Sequence, residues 1–259
     1  MERSRFIAGM FATESGEAGP GPPLVLLHGA GGTHRHWPEE IRSLPGQRVL
    51  ALDLPGHGRS PPPALTTIEA YARGVRAALD ELGEAAIVGG HSMGGAIVLL
   101  LALEARERVA GLVLVGTGAR LRVAPSLLEA TRDPEAAERV GEVMADWSFA
   151  GATGAALRED FVREVREGAR GVLHDDLGAC DAFDVMSRVG EIRAPALVVC
   201  GTEDRLTPPK YSAFLSDRIP GARLELVPSA GHMVMLESVR AVADLVAGFA
   251  AGVPRAERR

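Results

Sequence analysis

Cysteine is scarce in this chain of 259 residues, and the two that occur cannot form a disulfide framework. Cys180 lies between small and acidic residues, and Cys200 ends an apolar run. Buried free thiols are therefore expected at both positions. A disulfide-stabilised secreted scaffold is excluded.

Basic residues are outnumbered, with 28 Lys and Arg against 34 Asp and Glu, and neither sign forms a long block. A nucleic-acid footprint or a polybasic membrane patch would need such a block. No apolar run approaches the roughly 20 residues that a bilayer-spanning helix needs, and no secretory signal is visible. These absences predict a cytoplasmic protein that binds neither nucleic acid nor a membrane.

Amide side chains and lysine are almost missing, since Gln47 and Lys210 are single and asparagine does not occur. Depletion of thermolabile amides is typical of heat-adapted proteins. A GC-rich genome, which replaces lysine by arginine and has few asparagine codons, produces the same composition. Both explanations stay open, and thermostability is a prediction that a melting curve would check.

The residues that are present support a full hydrophobic core, because 46% are apolar and 24% are charged. Short unbroken apolar runs alternate with helical patterns, which is typical of strands buried on both faces of a parallel sheet. The predicted strands span 24–27, 49–52, 86–88, 112–115, 196–199 and 224–227. The predicted helices that flank this sheet include 68–82, 93–106 and 239–249. The fold class is therefore α/β, with a mostly parallel central sheet.

The segment from 119 to 189 breaks this alternation, because it has no run typical of a buried strand. Proline and glycine divide it into four helical patterns, at 125–133, 134–147, 154–169 and 176–190. We therefore expect a core made of residues 1–118 and 190–259. An all-helical cap, residues 119–189, is expected to be inserted in it and to lie over one edge of the sheet.

The strongest chemical signal is Gly-His-Ser-Met-Gly at 90–94, directly between a predicted strand and a predicted helix. A G-x-S-x-G pattern alone is weak, but between a strand and a helix it is specific. The sharp turn lifts the Ser92 hydroxyl above the strand end, and the helix N-terminus favours developing negative charge. Ser92 is the predicted nucleophile.

A serine hydroxyl needs a base to take its proton and an acid to orient that base. Asp204 follows the strand at 196–199 and His232 follows the strand at 224–227. Both should therefore emerge at the sheet edge where Ser92 lies. Glu203 is the adjacent alternative for the acid. The prediction is a catalytic triad of Ser92, His232 and Asp204.

His-Gly-Ala-Gly-Gly at 28–32 follows the first strongly apolar strand. Small residues there let the backbone approach a substrate oxygen, as an oxyanion hole requires. The predicted donors are the amides of Ala30 and Met93. Gly31 is the alternative to Ala30. His28 is expected to be a structural hydrogen-bonding residue beneath the loop.

Apolar side chains in and near the cap are candidates for an acyl or alcohol pocket, with mutual packing of the cap helices as the alternative. The candidate substrate contacts are Trp37, Met144, Trp147, Phe183 and Met233. No metal is predicted, because the pair His34 and His36 has no cysteine or carboxylate cluster near it. No cofactor is predicted either.

Five motifs together resemble the α/β-hydrolase family over nearly the whole chain, in that family's order. They are LVLLHGAGG at 24–32, ALDLPGHGRS at 51–60, VGGHSMGG at 88–95, VVCGTEDRLTP at 198–208 and SAGHMVMLE at 229–237. The resemblance is to capped serine hydrolases of that family. It implies a carboxylesterase that cleaves a small-molecule ester through an acyl-enzyme.

The resemblance also leaves alternatives open. Serine rather than aspartate at position 92 argues against the branches that attack through aspartate. The same triad serves C–C bond hydrolases and enol-lactonases, and related sites perform lyase chemistry. A non-catalytic ligand-binding protein of this fold is a further alternative from a different class.

Overall fold

The computed structural model describes residues 2–17, 19–133, 137–168 and 172–255. A sheet of eight strands forms its centre. The strands are β1 (Arg3–Ile7), β2 (Met10–Ser15), β3 (Leu24–Leu27), β4 (Val49–Leu52), β5 (Ala86–His91), β6 (Val109–Val115), β7 (Ala196–Gly201) and β8 (Arg223–Val227). Their order across the sheet is β1-β2-β4-β3-β5-β6-β7-β8.

The sheet is parallel from β4 to β8, and β1 and β2 join it antiparallel. Two apolar clusters lie on its opposite faces, so the parallel strands are buried on both sides, as their unbroken apolar runs predict. The α/β class with a mostly parallel sheet is confirmed.

The N-terminal hairpin of β1 and β2 is absent from the predicted strands, because neither strand has a long apolar run. β2 is buried, but half of it is polar, at Thr13, Glu14 and Ser15. β1 lies at an edge of the sheet with four of its five residues exposed or half-buried, so it has no apolar run. Ala8 and Gly9 form the two-residue turn with φ values of 47° and 79°. Two successive positive φ values are typical of the tight turn that matches the twist of a hairpin.

Helices fill the connections between strands. They are α1 (Glu39–Arg42), α2 (Ile68–Leu82), α3 (Met93–Glu104), α4 (Pro125–Ala130), α5 (Ala137–Ser148), α6 (Ala155–Gly168), α7 (Leu173–Ala182), α8 (Pro209–Arg218), α9 (Val234–Glu237) and α10 (Val239–Gly252). Sequence signals set the ends of α2, where the Thr67 hydroxyl accepts from the Ala70 amide and Gly83 closes the helix at φ 75°. In the described ranges no helix combines the length and hydropathy that crossing a bilayer requires.

The four helices α4 to α7 all lie between β6 and β7, in the segment where helical patterns replace strand patterns. We call residues 119–189 the helical insertion. The predicted helix over 176–190 is wrong in its bounds, because α7 begins at Leu173 and ends at Ala182. The chain leaves the helix there since Asp184 forms a β-bridge with Arg120. The predicted start of the second helix at 134 falls outside the described residues.

The two cysteines are free and buried, as expected. Burial raises the pKa of the Cys200 thiol to about 12, with the nearby Asp204 charge as a second cause. Burial also raises the pKa of Cys180. Neither thiol is therefore reactive as a thiolate near neutral pH.

Candidate active site

Ser92 occupies a strained turn between β5 and α3, with φ 51° and ψ −115°. A positive φ is uncommon for a residue other than glycine, and it is held here by the surrounding backbone. The Ser92 amide donates to the Val115 carbonyl at 3.0 Å, and the Thr117 hydroxyl donates to the Ser92 carbonyl at 2.8 Å. The turn therefore fixes the position of the predicted nucleophile.

The glycines on both sides of Ser92 are required by close backbone approach. A Cβ on Gly90 would lie 2.2 Å from the Gly94 carbonyl oxygen, and a Cβ on Gly94 would lie 2.6 Å from the Leu27 carbonyl oxygen. Real Cβ atoms do not approach backbone oxygens so closely. The G-x-S-x-G pattern thus has a steric cause in this fold, in addition to the chemical one.

His232 and Asp204 meet at the carboxyl ends of β7 and β8, where both side chains are buried. His232 Nδ1 lies 2.9 Å from Asp204 Oδ2. An imidazole that donates from Nδ1 to a carboxylate leaves Nε2 unprotonated and able to accept a proton. Asp204 also accepts from the Thr207 amide and the Thr207 hydroxyl, each at 2.8 Å.

Burial alone would raise the pKa of Asp204, but the neighbouring His232 and the Thr207 donors outweigh it, and the pKa lies below its ordinary value of 3.8. Asp204 is therefore a carboxylate throughout the pH range in which a histidine acts as a base. The alternative acid, Glu203, is exposed and accepts from the Gly151 amide at 3.1 Å. The geometry favours Asp204 over Glu203 as the partner of His232.

Residues 28–32, which we call the glycine-rich loop, pass directly over Ser92. A Cβ on Gly29 would lie 3.2 Å from Ser92 Cβ. The Gly31 amide donates to Asp176 Oδ2 at 2.8 Å, so it is not directed at a substrate. No acceptor for the Ala30 or Met93 amide is found among the described residues. This favours Ala30 over Gly31 as an oxyanion donor beside Met93.

Ser92, His232 and Ala30 line one cavity of about 210 Å³. Of the predicted substrate contacts, the structure brings Met144, Trp147 and Met233 to this cavity. Its lining also includes residues that were absent from the prediction: His36, Leu121, Leu127, Leu177 and Leu206. These come from separate short elements of the chain. No single helical or strand period connects them, although Leu127 is the buried residue of α4.

Two predicted contacts are not brought to the cavity. Trp37 is fully buried and belongs to the same apolar cluster as Ile41 of α1. Phe183 is also buried, in the cluster on the other face of the sheet. It immediately follows α7, where the chain turns to pair with Arg120. Both aromatic residues stabilise packing, and the prediction of substrate contact is corrected for them.

Several histidines near the site have structural partners. His28 Nε2 accepts from the Leu54 amide at 3.0 Å, which confirms the expected structural role. Burial holds the pKa of His28 well below its ordinary value. Burial and the nearby His232 also lower the pKa of His91, whose Nε2 lies 3.1 Å from the His232 carbonyl oxygen. Both rings are therefore neutral near pH 7.

His34 and His36 have separate carboxylate partners. His34 Nδ1 lies 2.8 Å from Asp53 Oδ1, and His36 Nε2 lies 3.3 Å from Glu164 Oε2. The two rings thus face different carboxylates. In the part of the chain that the structure describes, no group of three or more metal-ligating side chains is present.

Asp176 of α7 is a fully buried carboxylate that joins the helical insertion to the core. Its Oδ2 lies 2.7 Å from His57 Nε2, and its Oδ1 accepts from the Tyr71 hydroxyl at 2.8 Å. His57 Nδ1 lies 3.0 Å from the Pro55 carbonyl oxygen. Because carbonyl and carboxylate oxygens only accept, both ring nitrogens of His57 donate and the ring is protonated.

The pKa of His57 is raised accordingly. Burial alone would lower it, but the hydrogen bond to Asp176 and the Asp176 charge outweigh burial. A raised histidine pKa adds stability below the unfolded value of 6.5, and this stability is lost as pH rises through the folded pKa. The lowered pKa values of His28 and His91 act in the opposite sense. Their contribution is present above 6.5 and lost as pH falls through the folded values.

We therefore expect the free energy of unfolding to be largest near pH 6.5 and to fall on both sides. Urea unfolding at about pH 5, 6.5 and 8 would measure it. His57→Gln should flatten the alkaline limb and leave the acidic limb in place. A wild-type stability that rises steadily across this range would contradict the assignment.

The chain is similar to known proteins over most of its length. A family model described as alpha/beta hydrolase fold matches residues 22–239. A pimeloyl-[acyl-carrier protein] methyl ester esterase of Neisseria meningitidis serogroup C is 30% identical over 247 residues, which cover 89% of this chain and 94% of the relative.

Solved structures are similar over almost the whole chain. A thermophilic esterase has 32% identity and a TM-score of 0.84, and the match covers 99% of both chains. The enol-lactonase from Burkholderia xenovorans LB400 has 26% identity and a TM-score of 0.83, covering 95% of this chain and 99% of that one. The similarity extends through the helical insertion in both cases.

Proposed function

The chain belongs to the alpha/beta hydrolase fold family, and on that premise we propose that it is a carboxylesterase acting through Ser92, His232 and Asp204. One observation carries the proposal: the strained Ser92 shares a cavity with His232, whose Nδ1 is bound to the buried Asp204 carboxylate. This is the arrangement that a nucleophile, a general base and an orienting acid require.

In the first half-reaction, His232 Nε2 takes the proton from the Ser92 hydroxyl as Oγ attacks the ester carbonyl carbon. The carbonyl oxygen becomes an oxyanion, which accepts hydrogen bonds from the Ala30 and Met93 amides. His232 then gives its proton to the leaving alcohol oxygen as the ester C–O bond breaks. The product is an acyl-enzyme on Ser92 and a free alcohol.

In the second half-reaction, water replaces the alcohol. His232 takes a proton from the water as its oxygen attacks the acyl carbon, and the same two amides hold the oxyanion. The proton returns to Ser92 Oγ as the acyl bond breaks, which releases the carboxylic acid and restores the enzyme. Asp204 stays ionised throughout and stabilises the imidazolium that forms twice in each cycle.

The helical insertion acts in this proposal as a cap that determines which ester enters. It contributes Met144, Trp147, Leu127 and Leu177 to the cavity, and these side chains favour an apolar acyl or alcohol group. The cavity of about 210 Å³ is smaller than the roughly 300–1,000 Å³ of pockets for drug-sized ligands. Small esters therefore fit best.

A series of p-nitrophenyl esters with increasing acyl length tests the proposal. We expect the highest kcat/KM for short acyl chains and a decline beyond the length that the cavity accepts. Release of p-nitrophenol should show a burst equal to the enzyme concentration if the acyl-enzyme accumulates. Wild type that cleaves none of these esters, and is not labelled by a fluorophosphonate, would overturn the proposal and favour a ligand-binding role.

Enol-lactone hydrolysis is the second candidate, favoured by the structural similarity to an enol-lactonase. It uses the same nucleophile and base, and the leaving oxygen stays attached to the product. Comparing kcat/KM for an enol-lactone with that for the best ester would decide between them. C–C bond hydrolysis by the same residues would appear as turnover of a diketone. Lyase chemistry would proceed without a Ser92 adduct.

A further inference from the structure

Asp176 lies outside the proposed triad, yet it is bound to the loop that would hold the oxyanion. We propose that Asp176 is a positioning residue, which holds the glycine-rich loop in the conformation that directs the Ala30 amide at the substrate. The inference rests on the proposed function, because it assigns the Ala30 and Met93 amides as oxyanion donors. It makes the helical insertion part of the catalytic geometry, in addition to a cover for the cavity.

A carboxylate without solvent exposure is costly unless donors surround it. Asp176 has 0% exposure and faces three donors from three different segments of the core. These are the Gly31 amide of the glycine-rich loop, His57 Nε2 and the Tyr71 hydroxyl of α2. Burial and the Asp176 charge raise the pKa of Tyr71, so the hydroxyl remains a donor. These donors offset the cost of burying the charge, and only the Gly31 amide among them belongs to the glycine-rich loop.

The glycine-rich loop needs such an anchor, because four of its five residues have a hydrogen or a methyl group as side chain. Glycine is conformationally permissive, and Gly31 has φ 64°, a region in which other residues are uncommon. Within the loop, the Gly32 amide donates to the Gly29 carbonyl at 3.1 Å. The bond from Gly31 to Asp176 adds a contact from the insertion at the adjacent peptide.

The position of the Ala30 amide matters for catalysis, because an oxyanion donor must lie about 2.7–3.1 Å from the developing charge. A misplacement of about 1 Å can cost on the order of 100-fold in rate. The Ala30 amide is one peptide from the Gly31 amide, so loss of the anchor at Gly31 turns the neighbouring peptide plane as well. The expected consequence is weaker transition-state stabilisation with unchanged ground-state binding.

The Tyr71 contact offers a way to separate the positioning of the glycine-rich loop from the general stability of the fold. Tyr71→Phe removes one hydrogen bond to the same buried carboxylate, and also the bond that the Leu65 amide donates to the Tyr71 hydroxyl. It leaves the Gly31 bond intact. It is therefore the matched control for substitutions of Asp176. Asp176→Asn keeps the side-chain volume and an acceptor oxygen, but it loses the charge that makes the bond strong.

The experiment measures kcat, KM and melting temperature with the best p-nitrophenyl ester for wild type and the three variants. Asp176→Ala is expected to lower kcat by a factor on the order of 100, and Asp176→Asn by about tenfold, with KM within about twofold of wild type. Binding of a trifluoromethyl ketone, which forms an oxyanion on Ser92, should weaken by the same factors. Tyr71→Phe should lower the melting temperature and keep kcat within about twofold.

Either folded Asp176 variant with wild-type kcat would overturn the inference and leave the proposed function standing. The inference would also be overturned if, across Tyr71→Phe and the Asp176 variants, the loss of kcat simply followed the loss of melting temperature. The loss of activity would then come from general destabilisation. Asp176→Asn decides the question if Asp176→Ala does not fold. A wild type that cleaves no ester would overturn the inference together with the proposed function.

Discussion

Ser92→Ala is expected to lower kcat for p-nitrophenyl esters by a factor on the order of 10⁴ to 10⁶. The variant lacks the oxygen that forms the acyl-enzyme, and no other residue within 90–94 has a hydroxyl group. KM should change little, because the acyl group still meets the same apolar lining. The residual rate would come from the oxyanion donors and from binding.

The control for this substitution is Ser229→Ala, because Ser229 also has a positive φ, at 56°. It is exposed and lies on the loop that leads to His232. In both variants alanine replaces a serine with a positive φ, but only Ser92→Ala removes the predicted nucleophile. Ser229→Ala should keep kcat within about twofold of wild type. A Ser92→Ala variant with more than about a tenth of the wild-type kcat would contradict the proposed nucleophile.

Asp204→Asn is expected to lower kcat by a factor on the order of 10⁴. The carboxylate accepts from His232 Nδ1, and an amide in its place stabilises the wrong tautomer of the ring. It also leaves the imidazolium without a counter-charge in a buried position. Activity against p-nitrophenyl esters, measured at the pH of the wild-type optimum, would show the loss.

The neighbouring acid supplies the matched control. Glu203→Gln changes a carboxylate one residue away that is exposed and bound to the Gly151 amide. It should keep kcat within about twofold of wild type. If Glu203→Gln caused the larger loss, the assignment of Asp204 as the orienting acid would be wrong.

The parts of this molecule that the sequence predicts are those where local backbone demands select particular residues. Ser92 is such a case, because only glycine fits at positions 90 and 94 against the Gly94 and Leu27 carbonyl oxygens. The buried strands are another, because unbroken apolar runs are stable only when both faces are covered. Each of these constraints acts over a few consecutive residues, so it is visible in the chain.

The parts that could not be predicted depend on contacts between distant segments. Trp37 lies close in sequence to the glycine-rich loop, yet its side chain points into the apolar cluster that contains Ile41. Asp176 resembles the adjacent Asp175 in sequence, and only the tertiary fold brings it to His57 and Gly31. Strand β1 lies at the edge of the sheet and is largely exposed to solvent. Its sequence RSRFI is therefore mostly polar and has no apolar run that would predict a strand.

A cytoplasmic location and heat tolerance are among the sequence-based expectations that stay predictions. The fold does not depend on whether the protein is located in the cytoplasm. Heat tolerance depends on the free energy of unfolding, which composition alone does not determine. A thermal unfolding curve at pH 6.5, where the histidine contributions balance, is the suitable measurement.

The most direct test of the central claim is the mass of the protein during turnover. Wild type mixed with a slowly deacylating p-nitrophenyl ester and quenched in acid should gain the mass of one acyl group. Peptide mapping should place that group on Ser92, and the His232→Ala variant should gain none in the same time. An active enzyme that carries the acyl group on another residue, or that turns over without any adduct under single-turnover conditions, would contradict the account.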